Sequence, residues 1–302
     1  MIFPEFDPVL IQIGPLPIRW YALAYVAGIV AGWWYAAQLI KREPLWAPRR
    51  PPVTNLQLDD LVLWITLGII LGGRFGYALF YRPELYGQLF TGESWGQRLE
   101  LFQLWTGGMS FHGGFLGVVI ALAVYGTRNR INLLSLGDAI APVVPIGIFF
   151  GRMANFINGE LWGRPTDVPW AIRFCNDRIL QTYGTCPAGD IPRHPSQLYE
   201  AGLEGIALFA VLSLAIWKWR MLKRPGFIVG LFLAGYGIAR ALLENTRQPD
   251  AGLENLPLGL TMGMYLSIPM ILVGVWLIWR ALKTPVVAQA APAEPEPEVK
   301  PA

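Results

Sequence analysis

Phe149-Phe150-Gly151-Arg152-Met153-Ala154-Asn155-Phe156-Ile157-Asn158-Gly159-Glu160-Leu161-Trp162-Gly163 closes an apolar run that begins near residue 136. As a helix, such a run suits one bilayer crossing, roughly 17–25 residues. Its end nevertheless carries an arginine and two carboxamides, and a carboxylate follows. An unpaired charge at hydrocarbon depth costs about 2.5 kcal/mol or more, so Arg152 requires an anionic partner. Arg152 and Asn155 stand three apart on one helical face. Asn158 to Gly163 follow in a glycine-bracketed exit where backbone can approach a ligand. The stretch predicts a membrane helix that ends in the floor of a polar pocket facing a lipid headgroup.

The rest of the chain repeats the apolar half of that pattern. Of 302 residues, 54% are hydrophobic and 15% charged, with 13 Trp. Soluble domains carry roughly 25% charged residues, so this composition belongs to an integral membrane protein. Apolar runs of spanning length cover 19–40, 59–81, 109–126, 136–157, 197–217, 226–244 and 260–280. They lack strand alternation and are rich in Leu, Ala, Ile and Gly, so helices rather than a barrel satisfy the backbone. The predicted fold is an all-α membrane protein, a polytopic bundle of about seven transmembrane helices. An interfacial arm (1–18) precedes helices one to four (19–157); a cap loop (158–196), helices five to seven (197–281) and a disordered tail (282–302) follow. The arm is too proline-rich for a long helix and is expected along the outer membrane surface.

Basic residues mark alternate loops. Lys41, Arg42, Arg49 and Arg50 follow the first span, Arg128 and Arg130 the third, Lys218, Arg220, Lys223 and Arg224 the fifth, and Arg280 and Lys283 the last. The positive-inside rule then places the N-terminus outside and the C-terminus in the cytoplasm. Met1 to Pro17 lack the basic start of a cleavable leader, so the first span is expected to serve as its own insertion signal.

With that orientation, Arg74, His112, Arg152, Asn155, His194, Tyr236, Arg240 and Glu244 all fall at outer ends of their helices. Two or three arginines at headgroup depth form a phosphate clamp, because guanidinium presents forked donors that match phosphate oxygens. Arg74 and Arg152 each follow an aspartate, Asp60 and Asp138, by 14 residues, which hints at an internal repeat. His112 lies among glycines, with little packing to satisfy it. Tyr236, Arg240 and Glu244 stand four apart on one stripe; a self-neutralising Arg240–Glu244 pair is the plainer account. At the start of the fifth span, Ser196 is expected to cap the helix, and Glu200 and Glu204 share a face. Capping does not explain two carboxylates entering a bilayer. Cys175 and Cys186 fall in the cap loop, where an oxidising compartment favours a disulfide, and two cysteines make a poor metal site. Leu99, Leu101, Phe102 and Leu104 suit an interfacial segment between the second and third spans. Nothing in the chain has metal-ligand spacing or a nucleotide loop, so no metal or other cofactor is required, and no nucleic-acid partner is indicated.

The segment Gly151 to Gly163 closely resembles the signature of the bacterial prolipoprotein diacylglyceryl transferase family. The resemblance extends through Phe3-Pro4-Glu5-Phe6-Asp7-Pro8, Trp20-Tyr21, Gly73-Arg74-Phe75-Gly76-Tyr77, Phe111-His112-Gly113-Gly114 and His194-Pro195-Ser196-Gln197-Leu198-Tyr199-Glu200. It continues to Tyr236, Arg240, Glu244 and Arg247-Gln248-Pro249-Asp250, nearly the whole chain except the tail. Ala154 departs from the glycine common in the family. The resemblance implies a bacterial inner-membrane enzyme that moves the diacylglyceryl group of phosphatidylglycerol to the lipobox cysteine of a preprolipoprotein signal peptide. A thioether forms and glycerol 1-phosphate leaves. Phosphatidylglycerol, that signal peptide and membrane lipids would be its partners.

Negative charge grows on the leaving phosphate, and Arg152 and Arg240 are placed to stabilise it. The thiol must become a thiolate, with His112 as candidate base and His194 as rival. In the family-based reading Tyr21, Asn155, Asn158, Glu160, Gly163 and Glu244 hold the headgroup and the arginines. A lipid transporter would also need outer arginines, but with polar residues at midplane and inner side, where this chain is apolar. An intramembrane protease would have only Ser110 near His112. A lipid-binding protein without chemistry would not need His112.

Overall fold

The structure, a computed structural model, describes residues 1–14, 16–104, 107–248 and 259–287. Pro249, Asp250 and most of the tail lie outside the described residues. A hairpin, β1 (Val9–Ile13) and β2 (Leu16–Arg19), leads into α1 (Trp20–Lys41). After α2 (Asn55–Tyr81) come the short helices α3 (Glu84–Thr91) and α4 (Trp95–Arg98), then α5 (Phe111–Arg128). The next span is α6 (Leu133–Ile140), a 3₁₀ turn (Ala141–Val143) and α7 (Val144–Asn158), with Pro142 and Pro145 at the junction. The cap holds β3 (Ile172–Arg173), α8 (Asp177–Tyr183) and β4 (Pro192–Arg193). Beyond it run α9 (Ser196–Glu200), a π-helical stretch (Ala201–Ala207), α10 (Leu208–Trp217), α11 (Phe227–Leu243) and α12 (Met262–Lys283).

Five continuous helical segments are long and apolar enough to cross a membrane: Trp20–Lys41, Asn55–Tyr81, Leu133–Asn158, Ser196–Trp217 and Met262–Lys283. They coincide with five of the predicted runs to within a few residues. The other two runs are helical as α5, with 18 residues, and α11, with 17, at the short end of what spans hydrocarbon. Their outward faces are apolar: Val26, Val30 and Trp34 on α1, Leu63, Leu71 and Phe80 on α2, and Leu272, Trp276 and Trp279 on α12 are all exposed. Lipid, not water, is the medium in which such a surface is stable. The protein is a multi-pass membrane protein.

Inside lipid the helices cannot be held together by burying apolar area, so close packing must do it. α2 and α5 meet where Gly68, Gly72 and Gly76 face Gly113 and Gly117; a Cβ on Gly76 would lie 2.6 Å from the Gly113 Cα. α1 lies on α7, α11 on α12, and the α9–α10 span on α7. Buried Asp138, with no exposed surface, accepts from the Gly226 and Val229 N–H groups at 2.6 and 2.9 Å and so closes the otherwise open start of α11. Asp60 is exposed, so the two Asp–Arg pairs suggested as a repeat do different jobs.

The N-terminal arm is partly built into the cap. Met1 and Phe3 exchange backbone hydrogen bonds with Arg173, and the terminal ammonium donates to the Ala171 carbonyl at 2.8 Å. Phe3 is buried among Phe156, Ile172 and Phe174, with ring centroids 5.5 Å from Phe156 and 5.1 Å from Phe174. Leu10, Ile11 and Ile13 of the hairpin stay exposed. Between α2 and α5, Leu101 turns inward against Ala78 and Leu85, whereas Leu99, Phe102 and Leu104 remain exposed.

Candidate active site

Of the polar residues that the sequence places at helix ends, Arg152, Arg240 and Glu244 meet where the C-terminal ends of α7 and α11 converge on the N-terminal end of α9. Glu200, fully buried, is their centre. Arg152 Nε lies 2.7 Å from Glu200 Oε2, Arg247 donates to Glu200 Oε1 at 2.8 Å, and Arg240 approaches Oε2 at 3.8 Å. Arg240 also contacts Glu244 at 3.0 Å, one turn along α11, and Arg247 reaches the same carboxylate at 3.8 Å. The Arg240–Glu244 pair expected as a self-contained neutralisation is thus shared with two more arginines and a second carboxylate. Buried glutamates require such partners.

The arginines keep donors to spare. Arg152 uses Nε on Glu200, and among the described residues its two terminal nitrogens have no partner. Arg240 approaches Glu200 through a buried nitrogen at 3.8 Å, beyond hydrogen-bond distance. Around them Asn158 Oδ1, Gln197 Oε1 and both oxygens of Glu204 are buried without a hydrogen-bond partner among the described residues. Open guanidinium donors suit an anionic group, and open acceptors nearby suit the hydroxyls of a polar ligand.

The signature stretch forms one wall. α7 ends at Gly159, which takes a left-handed conformation with φ of 68°, and the chain turns so that Glu160 folds back. Glu160 Oε1 accepts from Asn155 at 2.8 Å and Asn158 at 3.4 Å, and its backbone carbonyl accepts from Gln197 at 2.6 Å. Ala154, where the family commonly has glycine, is buried. Tyr21, in the first turn of α1, lies ring to ring with Tyr25 at 5.2 Å.

Gly163 packs where three segments touch. Its N–H donates to the His194 carbonyl at 2.9 Å, and a Cβ there would lie 2.7 Å from that carbonyl oxygen. Arg164 N–H donates to Thr246 and its side chain to the Arg247 carbonyl at 2.8 Å, so the cap holds the backbone from which Arg247 reaches Glu200. Ser196 does not cap α9; Pro195 stands at the cap position and the Ser196 hydroxyl donates to the Leu161 carbonyl at 3.0 Å. A serine that the cap backbone needs elsewhere is not free for its own helix.

Arg74 is placed elsewhere. It is buried and donates to the carbonyls of Leu101 at 2.9 Å, Glu100 at 2.6 Å, Gly107 and Gly108, pinning the segment before α5. These four carbonyls give Arg74 an anchoring role in the loop before α5. His112 stands exposed in the first turn of α5, on the α2–α5 pair rather than on α7, α9 or α11. Ser110, the one residue that favoured a protease, is buried and caps α5 through the Gly113 N–H at 3.2 Å. His194 lies 3.3 Å from the Tyr199 hydroxyl, and burial pushes its imidazole below the ordinary value. Tyr236 stacks on Phe232 one turn before Arg240. Cys175 and Cys186 face each other in the cap with Cα atoms 5.4 Å apart, a separation suited to a disulfide.

Sequence reasoning left two members out of the candidate set. Glu200 was visible as a carboxylate entering the bilayer, and Arg247 as part of a motif; their meeting depends on the cap. Among the described residues no group of three or more His, Cys, Asp or Glu is arranged to hold a metal ion.

A family model described as prolipoprotein diacylglyceryl transferase matches residues 8–280. The phosphatidylglycerol–prolipoprotein diacylglyceryl transferase of Phenylobacterium zucineum (strain HLK1) is 58% identical over 97% of this chain and 99% of its own length. That of Caulobacter vibrioides (strain NA1000 / CB15N) is 56% identical over 98% of this chain and 100% of its own length. The Brucella anthropi protein of the same name is 48% identical over 94% and 95%.

Proposed function

Because this chain belongs to the prolipoprotein diacylglyceryl transferase family, we propose that it transfers the diacylglyceryl group of phosphatidylglycerol to the lipobox cysteine of a preprolipoprotein. The observation that carries the assignment to this site is the meeting of Arg152, Arg240 and Arg247 on two buried glutamates. Three guanidinium charges against Glu200 and Glu244 leave a surplus of one, which matches the single charge of a phosphodiester. Glu200 holds the three in fixed positions, so little reorganisation is needed as charge grows on the departing phosphate. The sulfur–carbon bond forms as the carbon–oxygen bond to phosphate breaks, and the electron pair goes to the phosphate.

In this proposal Arg152 and Arg240 bind the phosphate. Asn155, Asn158 and Glu160 form the wall that receives the glycerol headgroup, and Tyr21 and Tyr236 line the approach. His112 takes the thiol proton; its exposed position suits a thiol arriving on a peptide from outside the helix bundle. Gly163 and His194 act through the cap backbone that sets Arg247. A disulfide between Cys175 and Cys186 closes that cap. We further propose seven spans in the bacterial inner membrane, with the N-terminus and site periplasmic and the C-terminus cytoplasmic. Supporting this, Arg49, Arg50, Arg130, Lys223, Arg224 and Arg280 line two adjoining clefts at the opposite end of the bundle from the arginine–glutamate site.

Mass spectrometry of a lipobox peptide incubated with the protein and phosphatidylglycerol tests the reaction. A diacylglyceryl gain on the cysteine, lost with Arg152→Ala, is expected. A folded protein that binds the lipid and leaves the peptide unmodified would refute it.

A further inference from the structure

Glu204 has no part in the proposal above, and its surroundings ask for one. It is fully buried, and neither carboxyl oxygen has a hydrogen-bond partner among the described residues. Glu160, Glu200 and Glu244 all have partners within 3.0 Å. A buried carboxyl that no guanidinium claims is available to a ligand. It sits in the π-helical stretch Ala201–Ala207, a widening of the helix of the kind found at functional sites. The charged and titratable groups around it are Glu200 on its own span, Arg152 on α7, Tyr236 and Arg240 on α11, and Arg247 beyond α11.

Depth gives this acid a place in the reaction. Glu204 lies one turn, about 6 Å, further into the bundle than Glu200. A phospholipid whose phosphate meets the arginines at the level of Glu200 directs its diacylglyceryl half inward, past Glu204. The bond that breaks lies on that inward side of the phosphorus. We propose that Glu204 is the acid that protonates the phosphate oxygen as its bond to the diacylglyceryl carbon breaks.

The step balances. The thiol sulfur bonds to the glyceryl carbon and its proton passes to His112. The carbon–oxygen electron pair stays on the phosphate oxygen, which takes the Glu204 proton. As glycerol 1-phosphate departs, water accepts the His112 proton and returns one to Glu204. The glutamate thereby lets a site with one surplus positive charge release a product that would otherwise carry two negative charges.

The inference rests on the proposed transferase reaction, so the test uses the full chain in phosphatidylcholine nanodiscs that carry one of two donor lipids. One is phosphatidylglycerol; in the other, sulfur replaces the oxygen between the glyceryl carbon and phosphorus, and that leaving group needs no proton. Glu204→Gln is expected to slow transfer from the natural lipid by about 100-fold or more, the range of general acid catalysis. Its lipid Kd should stay within about threefold of the unmodified protein's, and transfer from the sulfur lipid should be retained. Equal loss on both lipids would make Glu204 structural and overturn the proposal, as would no loss on either. Should the Gln variant fail to fold, Glu204→Asp decides by the same ratio: a deficit on the natural lipid alone supports the acid, and equal rates relative to the unmodified protein on both lipids refute it. Absence of transfer by the unmodified protein would instead bring down the transferase reaction itself.

Discussion

Arg74 and Arg152 look alike in the sequence and differ in every contact. Each follows a glycine near the end of a membrane helix, and each lies 14 residues after an aspartate. Arg74 is closed in by four backbone carbonyls of its own neighbourhood. Arg152 meets a carboxylate from another helix, and its two terminal nitrogens stay open among the described residues. An arginine can satisfy its charge in the bilayer by holding loop backbone or by sharing a carboxylate. The second arrangement leaves both terminal nitrogens for a ligand, so the partner chemistry separates anchor from binder.

The sharpest break of that comparison is to remove each arginine in turn. Arg152→Ala is expected to lower transfer about 1,000-fold, roughly 4 kcal/mol of transition-state stabilisation, as for loss of a preorganised charge donor. Its unfolding midpoint should move little beside that, because Arg247 and Arg240 still accompany Glu200. Arg74→Ala should do the reverse. Leaving buried carbonyls unpaired costs about 3 kcal/mol of stability in total, while transfer per folded molecule stays within about tenfold. Thermal unfolding and transfer measured on the same two preparations check both halves; a stable Arg74→Ala with transfer abolished would return Arg74 to the substrate.

What the sequence could show of this difference was limited by where partners lie. The spanning helices were legible because apolar length is a local property, and five of the predicted runs coincide with the long helical segments. The polar wall from Asn155 to Glu160 was also legible, since its contacts span five residues or fewer. The partners of Arg74 are 26 to 34 residues away and are carbonyls, which every residue carries. No side-chain pattern marks them. The same is true of Met1 and Phe3 on Arg173, a backbone pairing across about 170 residues. Glu200 and Glu204 were visible as carboxylates entering the bilayer. That one would gather three arginines and the other none depended on the π-helical stretch and on the cap that delivers Arg247.

The cap extends the comparison to a region held by covalent linkage. Replacing Cys175 and Cys186 by serine removes the proposed disulfide, whose cysteines stand 11 positions apart, a closure worth about 2–4 kcal/mol. Destabilisation should appear first as easier proteolysis between residues 158 and 196, with transfer reduced because Arg164 and Gly163 position the Arg247 backbone. Intact mass before and after reduction checks the bond; two free thiols in protein isolated without reductant would remove it.

The smallest expected effect concerns His194, which joins the cap to the site through backbone and has its imidazole held below the ordinary histidine value by burial. The unfolded chain therefore takes up this proton at higher pH than the folded one. Between the ordinary histidine value and the lower folded value the unfolded state binds more protons, so stability falls as pH drops through that window and is fully present above it. His194→Gln should flatten the slope of unfolding midpoint against pH between about 7 and 5, and Arg152→Ala should leave that slope in place. Transfer in the Gln variant should stay within a few fold at neutral pH, since the Gly163 N–H bonds the main-chain carbonyl of residue 194 and not the ring. If His194→Gln abolished transfer without altering the slope, the imidazole would be the thiol base in place of His112, and the exposed position of His112 on α5 would need another explanation.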